Sequence, residues 1–264
     1  MRIKKQSLFI LIAIFFVPGC KKVIDVTLKN SEPQMVITGE VNNLPGPYKV
    51  TIAKSVNFSA NNDFPPVSGA LVTIQNKRII DTLFEKEPGH YFTRGLKGKP
   101  GESYTLNISV DGKIYTSTSV MPKPVQLDSL TFLSGRNSAI YPVANFQDPL
   151  GEDNYYQFTE FVNGKILNNG RGNSVFDDRL SDGRYISTIL YDDSSYIKPG
   201  VTLTVQMNCI DKQVFNYLNE LLQISGGGGG FSSPAPANPE SNISGGVMGY
   251  FSANTISSRT VEIQ

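Results

Sequence analysis

Cys20 is the side chain whose surroundings prescribe a reaction most clearly. It follows Gly19 and an unbroken apolar run from Leu8 to Val17, which Arg2, Lys4 and Lys5 precede. A basic start, a short apolar middle and a small residue at the end make a secretory signal. A cysteine directly after the small residue is the position at which bacterial lipoproteins are acylated. The apolar run is too short to span a bilayer, which takes about 20 residues. Residues 1–19 therefore read as a signal peptide, and Cys20 as the lipidated start of a chain that works outside the cytoplasm.

The other groups capable of chemistry form no catalytic set. His90 is the single histidine, and no Gly-x-Ser-x-Gly elbow accompanies it, so a Ser–His–Asp triad has little to be built from. Cys209 reads as a small core residue, and one histidine with one free thiol cannot assemble a zinc site of the His/Cys type. Carboxylates gather at Asp148 with Glu152 and Asp153, at Asp177 and Asp178 with Asp182, and at Asp192 and Asp193. Calcium takes several such oxygens, but none of the three groups has the alternating Asp-x-Asp-x-Asp-Gly spacing. Solvated turn carboxylates are the simpler reading. Nothing singles out a carboxylate pair for glycoside hydrolysis. Gly226–Gly230 follows a helix instead of preceding one, so it reads as a flexible loop and not a phosphate cradle. Tyr155, Tyr156, Tyr185 and Tyr191 are candidate sugar platforms, although Trp, the usual platform, is absent. No metal and no cofactor is expected.

The elements that position these residues are almost all strands. Short alternating runs occupy Met35–Val41, Tyr48–Ala53, Ala70–Ile74, Ile79–Phe84, His90–Thr93, Tyr104–Val110 and Ile114–Val120. Turn residues separate them, and Asp111-Gly112 is a strong type I′ hairpin signal. This spacing predicts an immunoglobulin-like β-sandwich over residues 34–121, joined to Cys20 by a polar tether over 20–33. Met121-Pro-Lys-Pro124 is the expected boundary. Residues 122–264 then read as a second, mainly-β domain, with strands at Leu127–Leu133, Tyr141–Phe146, Tyr155–Val162, Tyr185–Leu190, Val201–Met207 and Val247–Ala253. Its one helix is predicted at 211–224, capped by Asp211, with Val214, Leu218, Leu221 and Leu222 on the face toward the second sheet. The fold class is all-β.

Charge excludes one class of partner. Three of the 24 basic residues lie in the signal, so the remainder is slightly acidic against 23 carboxylates. Such a chain has no basic excess to neutralise phosphates, and no nucleic acid is expected as a partner. With Cys20 acylated, Cys209 has no intramolecular partner, so the exported domains must be held by their cores alone.

Several ordered motifs carry a resemblance. They are Cys20-Lys-Lys-Val-Ile-Asp-Val26, Val67-Ser-Gly-Ala-Leu-Val-Thr-Ile74, Pro100-Gly-Glu-Ser-Tyr-Thr-Leu106 and Asp111-Gly112. Further on come Asp148-Pro-Leu-Gly-Glu-Asp-Asn-Tyr-Tyr156, Asp177-Asp-Arg179 with Asp182-Gly183, and Ser241-Asn-Ile-Ser-Gly-Gly-Val-Met-Gly-Tyr-Phe-Ser252. Together, over essentially the whole chain, they resemble the Bacteroidota lipoprotein family of domain of unknown function 4249. The resemblance implies an outer-membrane lipoprotein encoded beside TonB-dependent transporters of the starch-utilisation type. It carries over no catalytic residue. Family members often place acidic residues after the lipidated cysteine, which favours the cell surface; here Lys21-Lys22 comes first and only Asp25 is acidic, and the expected location is still the cell-surface face of the outer membrane over its periplasmic face.

The expected function is thus a non-enzymatic accessory of a TonB-dependent transporter, either capturing substrate or acting as its lid. The alternative is a free-standing surface binding module or adhesin. Candidate contact residues are Tyr155, Tyr156, Asp177, Asp178, Arg179 and Asn242, on or near the long loops 57–68, 168–182 and 226–243. The same short motifs have an architectural reading: Gly249-Tyr-Phe251 as a close approach, and Asp177 with Arg179 as a charge-assisted pair.

Overall fold

A computed structural model describes residues 32–56, 64–136, 139–167, 174–190, 196–225 and 238–264. In chain order the strands are β1 (Met35–Asn42), β2 (Lys49–Lys54), β3 (Leu71–Gln75), β4 (Ile80–Thr82), β5 (Phe84–Glu87), β6 (His90–Phe92), β7 (Ser103–Val110) and β8 (Lys113–Val120). They continue with β9 (Ser129–Ser134), β10 (Ile140–Gln147), β11 (Tyr155–Val162), β12 (Lys165–Ile166), β13 (Ser174–Asp177), β14 (Tyr185–Ile189) and β15 (Thr202–Ile210). A helix, α1 (Lys212–Ser225), precedes the long final strand β16 (Met248–Glu262). The chain is all-β, and the described residues include one amphipathic helix.

Strand alternation builds the first sandwich. Tyr104, Leu106, Ile108 and Val110 are buried along β7 while the residues between them face outward, the two-residue period of a half-buried strand. Asp111 and Gly112 turn β7 into β8 with φ of 50° and 71°, the positive pair a type I′ turn requires. One sheet runs β4-β3-β7-β8 and the facing strands run β1-β2-β6-β5, the immunoglobulin-like arrangement. The Tyr104 hydroxyl accepts the Lys99 N–H at 2.7 Å and points back to the Lys97 carbonyl. That contact is the tyrosine corner of such folds. The run expected as one strand, Ile79–Phe84, is two: Leu83 donates to the Val72 carbonyl at 2.9 Å, and the chain then leaves β3 to pair with β6 in the opposite sheet.

A second core lies between β14-β10-β9 and the strands β11, β15 and β16. It contains Val125, Leu127, Phe146, Tyr156, Phe158, Ile186, Leu203, Val205 and Met207. Met121 belongs to the first core and Val125 to the second, so the proline-flanked stretch between them carries the chain across. The last strand crosses back. Residues 248–254 of β16 pair parallel with β1, and residues 255–262 pair antiparallel with β15. This makes a nine-stranded sheet common to both sandwiches.

Where β16 changes partner, three elements are fastened together. Ala253 N–H donates to Ser119 Oγ at 2.8 Å, and the Ser119 hydroxyl donates to Asp211. The other Asp211 oxygen accepts Val214 N–H at 2.9 Å and so caps α1 as expected. Burial raises the Asp211 carboxyl above its ordinary value, and the Ser119 and Val214 bonds oppose that rise. The helix face differs from the predicted one. Val214, Phe215, Tyr217 and Leu218 are buried, whereas Leu221 is exposed and Leu222 half-buried. The cause is aromatic: Phe215 stacks on Tyr155 and Tyr217 on Tyr250, with ring centroids 5.1 and 5.3 Å apart, which ties the first half of α1 to the sheet.

Candidate functional site

Pairing of β10 with β14 and of β11 with β13 brings two connections to one end of the second sandwich. Gln147 lies opposite Tyr185, and Tyr155 opposite Asp177, so the 148–154 and 178–184 turns leave side by side. Oxygens of Asp148, Asp178 and Asp182 lie within 4.8 Å of one another there. Each carboxylate reaches across to the other turn. Asp148 accepts Gly183 N–H at 3.0 Å, Asp178 accepts Asn154 N–H at 2.9 Å, and Asp182 accepts Gly151 N–H at 2.7 Å. The second Asp148 oxygen takes the buried Tyr156 hydroxyl at 2.5 Å. A hard cation would need six or more oxygens, whereas of the six here three accept backbone amides and a fourth the Tyr156 hydroxyl. The arrangement therefore acts as a brace that holds two turns at a fixed separation.

Burial raises the Asp178 carboxyl above the ordinary carboxylate value; the Asp148 and Asp153 charges add to this and the Asn154 N–H opposes it. A carboxyl whose folded value is raised binds its proton more tightly folded than unfolded. Its contribution to stability therefore falls as pH climbs from the unfolded value through the folded one. Asp178→Asn keeps an acceptor for Asn154 and removes the buried charge. We expect its Tm at pH 7 to match or exceed that of the unsubstituted chain, with the difference vanishing below the unfolded carboxylate pKa of about 4. A variant that is selectively weaker at pH 7 would show that the charge itself is required.

The structure gathers five of the sequence-derived contact residues at this end and leaves one elsewhere. Asp177 and Arg179 pair at 2.9 Å on the outside of the turn. Asp178 is buried in the brace, Tyr156 is wholly buried beneath it, and Tyr155 is half-buried against Phe215. Asn242 instead uses both ends of its amide on the Phe251 backbone, at 2.7 and 2.9 Å, pinning the chain before β16. His90 Nδ1 lies 3.2 Å from Thr51 Oγ1 on neighbouring strands, and Cys209 is buried, which pushes its thiol up. Cys20, Tyr191, the Asp192-Asp193 pair, Gly226–Gly230 and residues 57–63, 168–173 and 226–237 of the three loops lie outside the described residues.

Two residues at the tip were not singled out by type. Leu150 and Leu180 are 81% and 91% exposed, one on each braced turn. Their only local signal is an apolar residue inside an otherwise turn-forming string, Asp-Pro-Leu-Gly and Asp-Arg-Leu-Ser-Asp-Gly. Glu152, Asp153 and Asp182 are exposed on the same turns. Among the described residues no helix is long and apolar enough to cross a membrane.

A two-domain fibronectin type III segment from chicken tenascin is similar at 13% identity and a TM-score of 0.21, covering 67% of this chain and 90% of that one. No curated protein sequence matches the chain. A family model matches residues 21–260, nearly the full length, and the chain accordingly belongs to the family described as Domain of unknown function (DUF4249).

Proposed function

We propose that this chain is a non-enzymatic accessory held to the outer membrane through acylated Cys20, and that it docks by the braced tip onto a TonB-dependent transporter. The observation that carries the reading is the pair of leucines, Leu150 and Leu180, held out in water on turns that carboxylates keep rigid. Burying a leucine is worth about 1.5–3 kcal/mol, and a pre-fixed tip spends little of that on ordering. On these turns the exposed Glu152, Asp153 and Asp182 outnumber the exposed Arg179 and Arg184, a balance that disfavours an anionic lipid surface and suits a protein pocket that is apolar inside and mainly cationic at its rim. A binding role also agrees with the carboxylate chemistry, since each of the three acids that approach one another accepts a backbone amide. Its part in transport is to help capture substrate or to cover the transporter's mouth.

The test is recovery of the full-length chain from native membranes in mild detergent. The unsubstituted chain is expected to bring a β-barrel transporter with it. Leu150→Asp combined with Leu180→Asp should lose at least tenfold of that partner at an unchanged Tm. Recovery of the acylated, unsubstituted chain without any transporter sinks the proposal.

A further inference from the structure

We infer that a second site, at one end of the first sandwich, binds a small organic anion with an apolar body. A cleft of 740 Å3 opens between the β1–β2 turn and the β6–β7 connection, within the size range of small-molecule sites. Leu44, Pro45, Pro47 and Phe84 give it an apolar lining, and Arg94 and Lys97 stand among them. Neither cation forms an ion pair among the described residues, in contrast to Arg78, Lys99, Lys123 and Arg179.

The walls are fixed before any ligand arrives. The Tyr48 hydroxyl donates to the Leu44 carbonyl at 2.7 Å and accepts Gly98 N–H at 2.8 Å, so one oxygen spans both sides of the cleft. Behind the cationic wall, the buried Asp81 carboxylate accepts the N–H groups of Arg94, Gly95 and Leu96 at 3.0, 2.8 and 2.7 Å. That carboxylate is thereby spent on the backbone. The Arg94 guanidinium lies over the Phe84 ring at 4.9 Å, and its Nε donates to the Thr82 carbonyl at 3.3 Å. A guanidinium placed over an aromatic face still offers its remaining N–H groups to a carboxylate. Lys97 supplies a second positive charge, and the prolines and leucine supply the surface for an apolar body. An uncharged ligand of the same shape would leave both cations without their partner.

The inference is independent of the anchor and of the tip. It is tested with the full chain in detergent, using 4-phenylbutyrate and its uncharged amide as probes and the backbone amide signals of Gly95 and Gly98 as the readout. The carboxylate is expected to shift both signals saturably, and the amide to bind at least tenfold more weakly. Arg94→Glu with Lys97→Glu should abolish the shifts while the chain still melts cooperatively, its Tm lowered by no more than a few degrees, and Lys97→Gln, which leaves the Arg94 contacts in place, should weaken the shifts in the same direction at an unchanged Tm. Equal binding of the two probes, binding that survives charge reversal, or no saturable shift with the carboxylate would each overturn it.

Discussion

A fragment of residues 33–124 is expected to show no cooperative thermal transition, and to regain one when a peptide of residues 241–256 is added. The fragment contains every strand of the first sandwich except the one that closes it. Ile243, Val247, Phe251 and Ala253 are all buried in the first core, although they come from the far end of the chain. Removing the larger three withdraws about 1.5–3 kcal/mol of apolar burial each, against a total stability of about 5–15 kcal/mol for a domain. The loss also uncovers β1, whose residues 36–42 are paired with β16, and an open edge of that length invites aggregation. Further bonds go with the peptide: Ser244 N–H to the Thr116 carbonyl at 2.8 Å, and the Ser117 hydroxyl to the Asn242 carbonyl at 2.8 Å. Far-ultraviolet circular dichroism against temperature reads the result. A fragment that melts within a few degrees of the full chain would show that the first core does not need β16.

That dependence was out of reach of local pattern, and the reason is distance along the chain. The β7–β8 hairpin is legible because alternation and Asp111-Gly112 are neighbours, and β11 is legible because six of the eight residues of Tyr155–Val162 are aromatic or β-branched. β5 was hidden by composition, since Phe84-Glu-Lys-Glu87 is a charged edge with little to bury. The second half of β16 was hidden for a related reason. Residues 254–262 are mostly small and polar, and they are strand because β15 offers them partners, not because they alternate. The pairing of β1 with β16 joins residues about 210 apart in the chain, and such contacts leave no local trace. The site divides in the same way. The Asp177–Arg179 pair spans two residues and could be read directly, whereas the cross-bracing of Asp148, Asp178 and Asp182 needs two turns that only the sheet order brings together. Leu150 and Leu180 carry the opposite difficulty, because an isolated leucine reads as core until its exposure is known.

Gly249→Ala is expected to prevent accumulation of folded protein, or to lower Tm by more than 10 °C, while Gly246→Ala lowers it by only a few degrees. Both glycines have positive φ, 99° and 67°, so alanine at either pays backbone strain of roughly 1–2 kcal/mol. What separates them is space. A Cβ on Gly246 meets no atom within 4 Å, but one on Gly249 would lie 1.9 Å from the Ile37 carbonyl oxygen and 2.7 Å from its carbon. Ile37 is the β1 residue that Gly249 faces across the parallel pairing, and its side chain is wholly buried. The clash therefore falls on rigid backbone beside the core, and relief requires the two strands to part. Movement of Gly249 itself is also opposed, since its N–H donates to the Tyr217 hydroxyl at 3.1 Å and its carbonyl accepts the Ser241 hydroxyl at 2.6 Å. At about 2–4 °C per kcal/mol for a chain of this size, strain alone predicts the smaller shift, and only steric exclusion from the β1–β16 seam predicts the larger one. Equal shifts in the two variants would mean that the seam tolerates a side chain, and the close approach of the two strands would then not be what holds the sandwiches in one sheet.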